Sequence, residues 1–170
     1  MKSLRYKLDR GLQFTIAALL AIMALNVVWQ VFTRFVMHSP SSYTEELARY
    51  TMIWLALLGA AYCVGRRSHL ALDLVPSLLK GNSRRRLEIM IQLMVLFFAL
   101  AVLVGGGGRL VWLTLVLGQT SAALEIKLGY VYLAVPISGV IITLYSLIEI
   151  GTIWRAETEE APTTKGLTDE

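Results

Sequence analysis

The chain has 170 residues, 56% of them hydrophobic and 16% charged, with a mean hydropathy of +0.61. This is the composition of a membrane protein, and it leaves no stretch long enough for a separate soluble domain. The net charge of +4 does not mark a nucleic-acid footprint, because no basic stretch is interleaved with exposed aromatics. A helix needs about 20 apolar residues to cross the hydrocarbon core. Four runs meet that need and predict an all-α integral membrane protein, with spans near 11–34, 45–65, 87–108 or longer, and 128–150. Residues 1–155 read as a single membrane domain and 156–170 as a polar, acidic cytoplasmic tail.

The first run, Gly11 to Thr33, follows a basic arm. It is longer than the roughly 7–15-residue core of a secretory signal, which predicts a retained anchor. Asn26, Gln30 and Arg34 recur at i, i+4 and i+8 and form one polar stripe. Such a stripe seeks protein rather than lipid. It serves either as glue between this chain's own helices or as a surface for a separate membrane subunit.

The second run begins in "SPSSYTEELARYTMIWLALLGAAYC". Pro40 stops the incoming chain, Ser42 and Glu45 fit a capping box, and Thr44 is an alternative cap. Acids in the first turn suit the positive helix end, which accounts locally for Glu45 and Glu46. It does not account for Arg49, one turn further in, where an ion pair is expected. Ala56 with Ala60 and Gly59 with Cys63 are small-residue pairs that permit close helix approach. If the first two runs form an antiparallel hairpin, Glu46 should lie near the depth of Arg34 and Trp54 near that of Asn26. Glu46, Arg49 and Arg34 would then share a charge network. Cys63 is the single cysteine and offers neither a disulfide nor a cysteine-based metal site.

In the connection "RRSHLALDLVPSLLKGNSRRR", His69, Asp73, Ser77 and Lys80 recur at helical spacing among leucines. An interfacial amphipathic segment over 69–80 is expected, broken near Pro76 and ended by Gly81. Arg66, Arg67, His69, Arg84, Arg85 and Arg86 are placed among lipid headgroups. The third run contains "VGGGGRLVW", which lacks the ending of a phosphate loop. Each glycine costs a helix about 1 kcal/mol against alanine. An end, a kink, a close contact, or one long helix continuing to Leu117 all remain open there. In the fourth run Pro136 with Ser138 and Gly139 suggests a kink, while Tyr130, Tyr132 and Trp154 suit the interfaces. Glu149 should meet Arg155 or headgroups.

Twelve of the sixteen basic residues fall in the N-terminal arm, the second connection and the tail. Lys and Arg favour cytoplasmic loops, so both termini are predicted inside and Glu45 and Glu46 outside. A self-sufficient proton-coupled carrier would want a carboxylate deep in a span. A haem subunit would want two facing histidines, whereas His38 and His69 fall on opposite sides. No nucleophile, base and orienter can be assembled either, so an enzyme is not expected. A self-contained small membrane carrier or the membrane anchor of a redox complex is the alternative to a transporter subunit. An obligate subunit would be unstable without its partner.

The blocks "NVVWQVFTRF", "YTEELARYTMIWLALLGAA", "RRSHLALDLVPSLL" and "LGQTSAALEIKLGYVYLAVPISG" resemble, in order and spacing, the small membrane subunit of tripartite ATP-independent periplasmic (TRAP) transporters. Tyr43 stands where that family usually has tryptophan. The resemblance implies a multi-pass protein of the bacterial inner membrane, in a heterodimer with a large membrane subunit that is served by a periplasmic substrate-binding protein. It also implies sodium-coupled uptake of an organic acid such as a dicarboxylate or sialic acid. Sodium and substrate would be bound by the large subunit, leaving this chain a non-catalytic scaffold with no cofactor, contacting its partner and phospholipids. Asn26, Gln30, Arg34, Tyr43, Glu45, Glu46, Arg49 and Gly59 become candidates for the subunit interface or the periplasmic face.

Overall fold

The computed structural model describes residues 2–38, 42–66 and 82–160, with side chains described for 5–38, 42–66 and 86–152. The described residues are helical almost throughout. Helix α1 spans Lys2–Phe35 and α2 spans Ser42–Gly65. Helix α3 (Asn82–Phe98) runs into a π-helical segment, Ala99–Gly106, and then into α4, Gly107–Val116. Helix α5 (Leu128–Tyr132) is short and leads into α6, Ala134–Glu160. Four stretches are long and apolar enough to cross a membrane: Arg5–Phe35, Ser42–Gly65, Arg86–Val116 and Leu128–Thr152. The interfacial segment expected over 69–80, with Arg67 and His69, lies outside the described residues.

Two expectations are resolved by helix continuity. The basic arm is not a separate lead-in, because Arg5, Lys7 and Arg10 already lie on α1. The glycine run does not end the third span, which continues past Arg109 to Val116. The helix instead widens over Ala99–Gly106, which takes in the first two glycines of the run, and the Gly107 N–H donates to the carbonyl of Val102, five residues back. Widened turns of this kind shift which residues face a neighbour without breaking the backbone hydrogen bonding that a membrane demands. In the fourth span the interruption falls at Leu133, ahead of Pro136, which occupies the first turn of α6. Proline has no N–H to give, so the first turn is where a helix tolerates it.

The spans form a row in the order first, second, fourth, third. Between α1 and α2 the register is antiparallel, with Leu12 meeting Leu58 in one buried cluster that Tyr145 of α6 completes. Ile142 of α6 joins Ala61 of α2 to Ala99 of the π segment in a second cluster. Close approach of the third and fourth spans depends on glycine. A Cβ on Gly139 would lie 2.7 Å from Leu103 Cβ and 3.1 Å from the Val104 backbone nitrogen. A Cβ on Gly107 would lie 2.7 Å from Val135 Cγ1. The other glycines of the run are less crowded, and Gly108 has open space beside its Cα. A row gives each span few neighbours, so broad apolar faces stay uncovered. Phe14, Phe97 and Trp112 are 78%, 73% and 65% exposed.

Candidate subunit-contact surface

Glu46 lies one turn inside α2, at the end of the row away from the N-terminus. Its Oε2 accepts from the Ser121 hydroxyl and from the N–H groups of Ala123 and Leu124, the latter two at 3.1 Å. The receiving loop, residues 117–127, is compact. Ser121 N–H donates to Ile126 O, Leu128 N–H to Gln119 O, and Gln119 N–H to Thr114 O, while Gly118 takes a left-handed φ of 61°. An ionised carboxylate can only accept, and clustered loop N–H groups form a natural anion cradle. Glu46 therefore pins the second span to the connection between the third and fourth.

Arg49 does not join this clamp. It donates to Glu45 at 3.3 Å, with both side chains 65% exposed, a surface pair of small energetic weight. Arg34 lies apart from both. Asn26 Nδ2 donates to the Thr44 carbonyl at 2.8 Å, so Asn26 is level with the first turn of α2 and not with Trp54. The hairpin is thus offset from the expected register, and α1 runs on past the start of α2. Arg34 sits about 15 Å beyond the level of Glu46 at 1.5 Å of rise per residue. The expected network of Glu46, Arg49 and Arg34 is separated into a clamp, a surface pair and an exposed arginine.

The remaining candidates divide by exposure. Asn26 is buried and Gln30 half-buried, with the Gln30 carbonyl accepting from Thr33. Arg34, Tyr43, Glu45 and Arg49 are exposed, the last three on the first two turns of α2 near Glu46 and Arg34 well beyond them on α1. Gly59 is half-buried, and a Cβ there would meet nothing within 4 Å. At the opposite end Arg66 is exposed and lies over the Tyr62 ring at 5.3 Å, and Arg86 is exposed. Arg84 and Arg85 are in the first turn of α3, but their side chains are outside the described set.

Sequence reasoning missed a second polar cluster at that opposite end. Arg5 donates to Glu149 Oε2 at 3.3 Å and to the Gly65 carbonyl at 2.5 Å. The Tyr145 hydroxyl donates to Asp9 Oδ1 and the Gln13 amide donates to the Tyr62 hydroxyl, each at 2.5 Å. Glu149, expected to meet Arg155 or headgroups, reaches across to Arg5 on α1, and the Arg155 side chain lies outside the described set. The signal was present, since Arg5, Asp9 and Gln13 repeat the i, i+4, i+8 spacing of the Asn26 stripe. The donors to Glu46 gave less warning, because two of the three are backbone groups that any residue carries.

Among the described residues, then, the polar side chains that bond between helices fall into two sets, one near each end of the spans. The family model for the DctQ component of tripartite ATP-independent periplasmic transporters matches residues 23–156. The chain belongs to this family. DctQ components are transporter permease subunits and not enzymes. A TRAP transporter small permease protein of Haemophilus influenzae is 26% identical over 145 residues, covering 84% of this chain and 87% of the relative. The sialic acid TRAP transporter small permease protein SiaQ of Vibrio cholerae is 28% identical over 106 residues, 62% of this chain and 61% of the relative. An isethionate TRAP transporter permease protein, DctMQ, of Oleidesulfovibrio alaskensis is 28% identical over 131 residues, 74% of this chain but 20% of that longer protein. The matched region holds the Asn26 contact, the Glu46 clamp and the glycine contacts between the third and fourth spans. The Arg5, Asp9 and Gln13 stripe precedes it.

Proposed function

We propose that this DctQ-family chain is the scaffold of a sodium-coupled TRAP transporter in the bacterial inner membrane. It braces a large permease that carries the sodium and substrate sites, and a periplasmic binding protein delivers an organic acid to that permease. The single observation that supports this best is the row of spans, whose broad apolar faces stay uncovered while the described polar clusters at the ends of the spans are satisfied by contacts within the chain. A self-contained carrier needs charged or unwound elements converging near the midplane, whereas the polar sets here sit at the two ends. Relatives named for sialic acid and isethionate support a small organic anion as the substrate of the assembled transporter. Both termini and the second connection face the cytoplasm, in keeping with their basic residues. The Glu46 clamp and the exposed Arg34, Tyr43, Glu45 and Arg49 then face the periplasm.

Proteoliposomes test the division of labour. This chain alone should give no sodium-driven uptake of carboxylates or sugar acids. Adding the large permease and its binding protein should restore uptake. Ion-dependent uptake by the isolated chain, above empty liposomes, would overturn the scaffold reading. Orientation is tested with single cysteines at Ser3, Ser39 and Thr164 in a Cys63→Ala background. An impermeant thiol reagent applied to intact spheroplasts should label only the one at Ser39.

A further inference from the structure

One cavity lies apart from the Glu46 clamp and borders the polar contacts of Asp9 and Gln13. It has a volume of about 350 Å³, opens at the end of the row near the N-terminus, and is lined by Tyr6, Asp9, Arg10, Gln13 and Arg66. Two guanidinium groups approach it from different helices. Arg10 on α1 is held by a 2.8 Å donation to the Tyr6 hydroxyl, and Arg66, just past the end of α2, rests on the Tyr62 ring. Each retains N–H groups beyond these contacts, since a guanidinium carries five donors. Asp9 supplies the opposite charge. Its Oδ1 accepts from Tyr145, and its Oδ2 has no hydrogen bond among the described residues.

The apolar surface beside the cavity continues along the same stripe. Ala17 and Leu20, one and two turns beyond Gln13, are exposed on α1. On α2, Ala56 is exposed and Gly59 leaves open space next to the backbone. The site thus combines two cations for an anion, one carboxylate for a cation, and a shallow hydrocarbon-facing track leading away from both.

We infer that this cavity binds the headgroup of a zwitterionic phospholipid of the phosphoethanolamine type, with its phosphate on Arg10 and Arg66 and its ammonium on Asp9. Arginine binds phosphate oxygens through charge-assisted hydrogen bonds. A primary ammonium donates three hydrogen bonds, which a quaternary ammonium cannot do, so ethanolamine is favoured over choline. The acyl chains lie along the Ala17 and Gly59 track. The inference requires only that this end of the row sits at a membrane surface, and it is independent of the transport role.

Native mass spectrometry of the co-purified permease complex, delipidated and titrated with defined lipids, tests it. Phosphatidylethanolamine should bind in preference to phosphatidylglycerol and phosphatidylcholine. Soluble glycerophosphoethanolamine and inorganic phosphate should not compete at millimolar concentration. Arg10→Gln and Arg66→Gln should each weaken phosphatidylethanolamine binding about tenfold, the loss of one charge-assisted hydrogen bond. Asp9→Asn keeps an acceptor for Tyr145 and should remove the preference for ethanolamine over glycerol. Lys7→Gln, the same charge loss on an exposed residue outside the cavity lining, should change nothing. Equal binding of the three lipids by the wild-type complex would overturn the assignment, as would an equal loss with Lys7→Gln. Displacement by inorganic phosphate would identify a plain anion site and overturn it as well. Because the readout is lipid retention, failure here leaves the scaffold role standing.

Discussion

Replacing Gly139 by alanine sets two opposing effects against each other. In a helix interior, alanine is favoured over glycine by about 1 kcal/mol. At Gly139, however, the new methyl would stand 2.7 Å from Leu103 Cβ, 3.0 Å from Val104 Cγ2 and 3.1 Å from the Val104 backbone nitrogen. Two of those atoms are rigidly tied to the π segment, so rotamer changes cannot relieve the overlap and the two spans must separate. Overpacking of this kind costs about 1–3 kcal/mol. Set against the propensity gain, Gly139→Ala should be destabilising by about 0–2 kcal/mol, and Gly139→Leu by more. Gly108→Ala is the matched control, since it takes the same propensity gain in open space. The two alanine variants should therefore differ by about 1–3 kcal/mol, the overpacking term alone. Equilibrium unfolding by SDS in mixed micelles, followed by fluorescence of the four tryptophans, would rank them. If Gly139→Ala proves as stable as Gly108→Ala, the third and fourth spans do not pack through this glycine and the contact is wrong.

Glu46→Ala should speed hydrogen exchange at the Ala123 and Leu124 amides several-fold, with Glu46→Gln intermediate because its amide oxygen still accepts; unchanged exchange would mean that the clamp does not order the loop. Arg49→Ala should leave that exchange untouched and shift stability by no more than about 0.5 kcal/mol, as befits an exposed helical pair. Arg5→Gln and Glu149→Gln should each cost about 1–3 kcal/mol, between the surface and buried limits, because Arg5 is one-third exposed and Glu149 nearly buried. In a double-mutant cycle by the same SDS unfolding, their combined cost should fall short of the sum, and strict additivity would show the pair to be uncoupled. Asn26→Leu should weaken the α1–α2 hairpin by about 1 kcal/mol, the scale of interhelical hydrogen bonds in membranes, measured by proteolytic nicking between the two helices.

Much of this protein was legible in one dimension. Charges flank most of the apolar runs, so the number of spans and most of their boundaries followed from composition and length alone. Residue order also carried the family, because the TEELAR block and the segment around Gln119 to Gly139 are contiguous motifs. What needed the folded chain was register and partnership. A hairpin slides by whole turns without changing either helix's pattern, so nothing local could show that Asn26 meets Thr44 rather than lying level with Trp54. Glu45 and Glu46 are neighbours of identical chemistry, yet one faces Arg49 on the surface and the other turns to a loop 75 residues further along the chain. Their difference comes from the 100° or so between successive helical side chains and from where the loop happens to pack. The glycine run reads as helix-weakening in sequence, but packing requires Gly107 and leaves Gly108 unopposed. Local patterns dictate helices and membrane depth because water and lipid act on each residue separately, whereas pairings between distant residues exist only once the spans have found their neighbours.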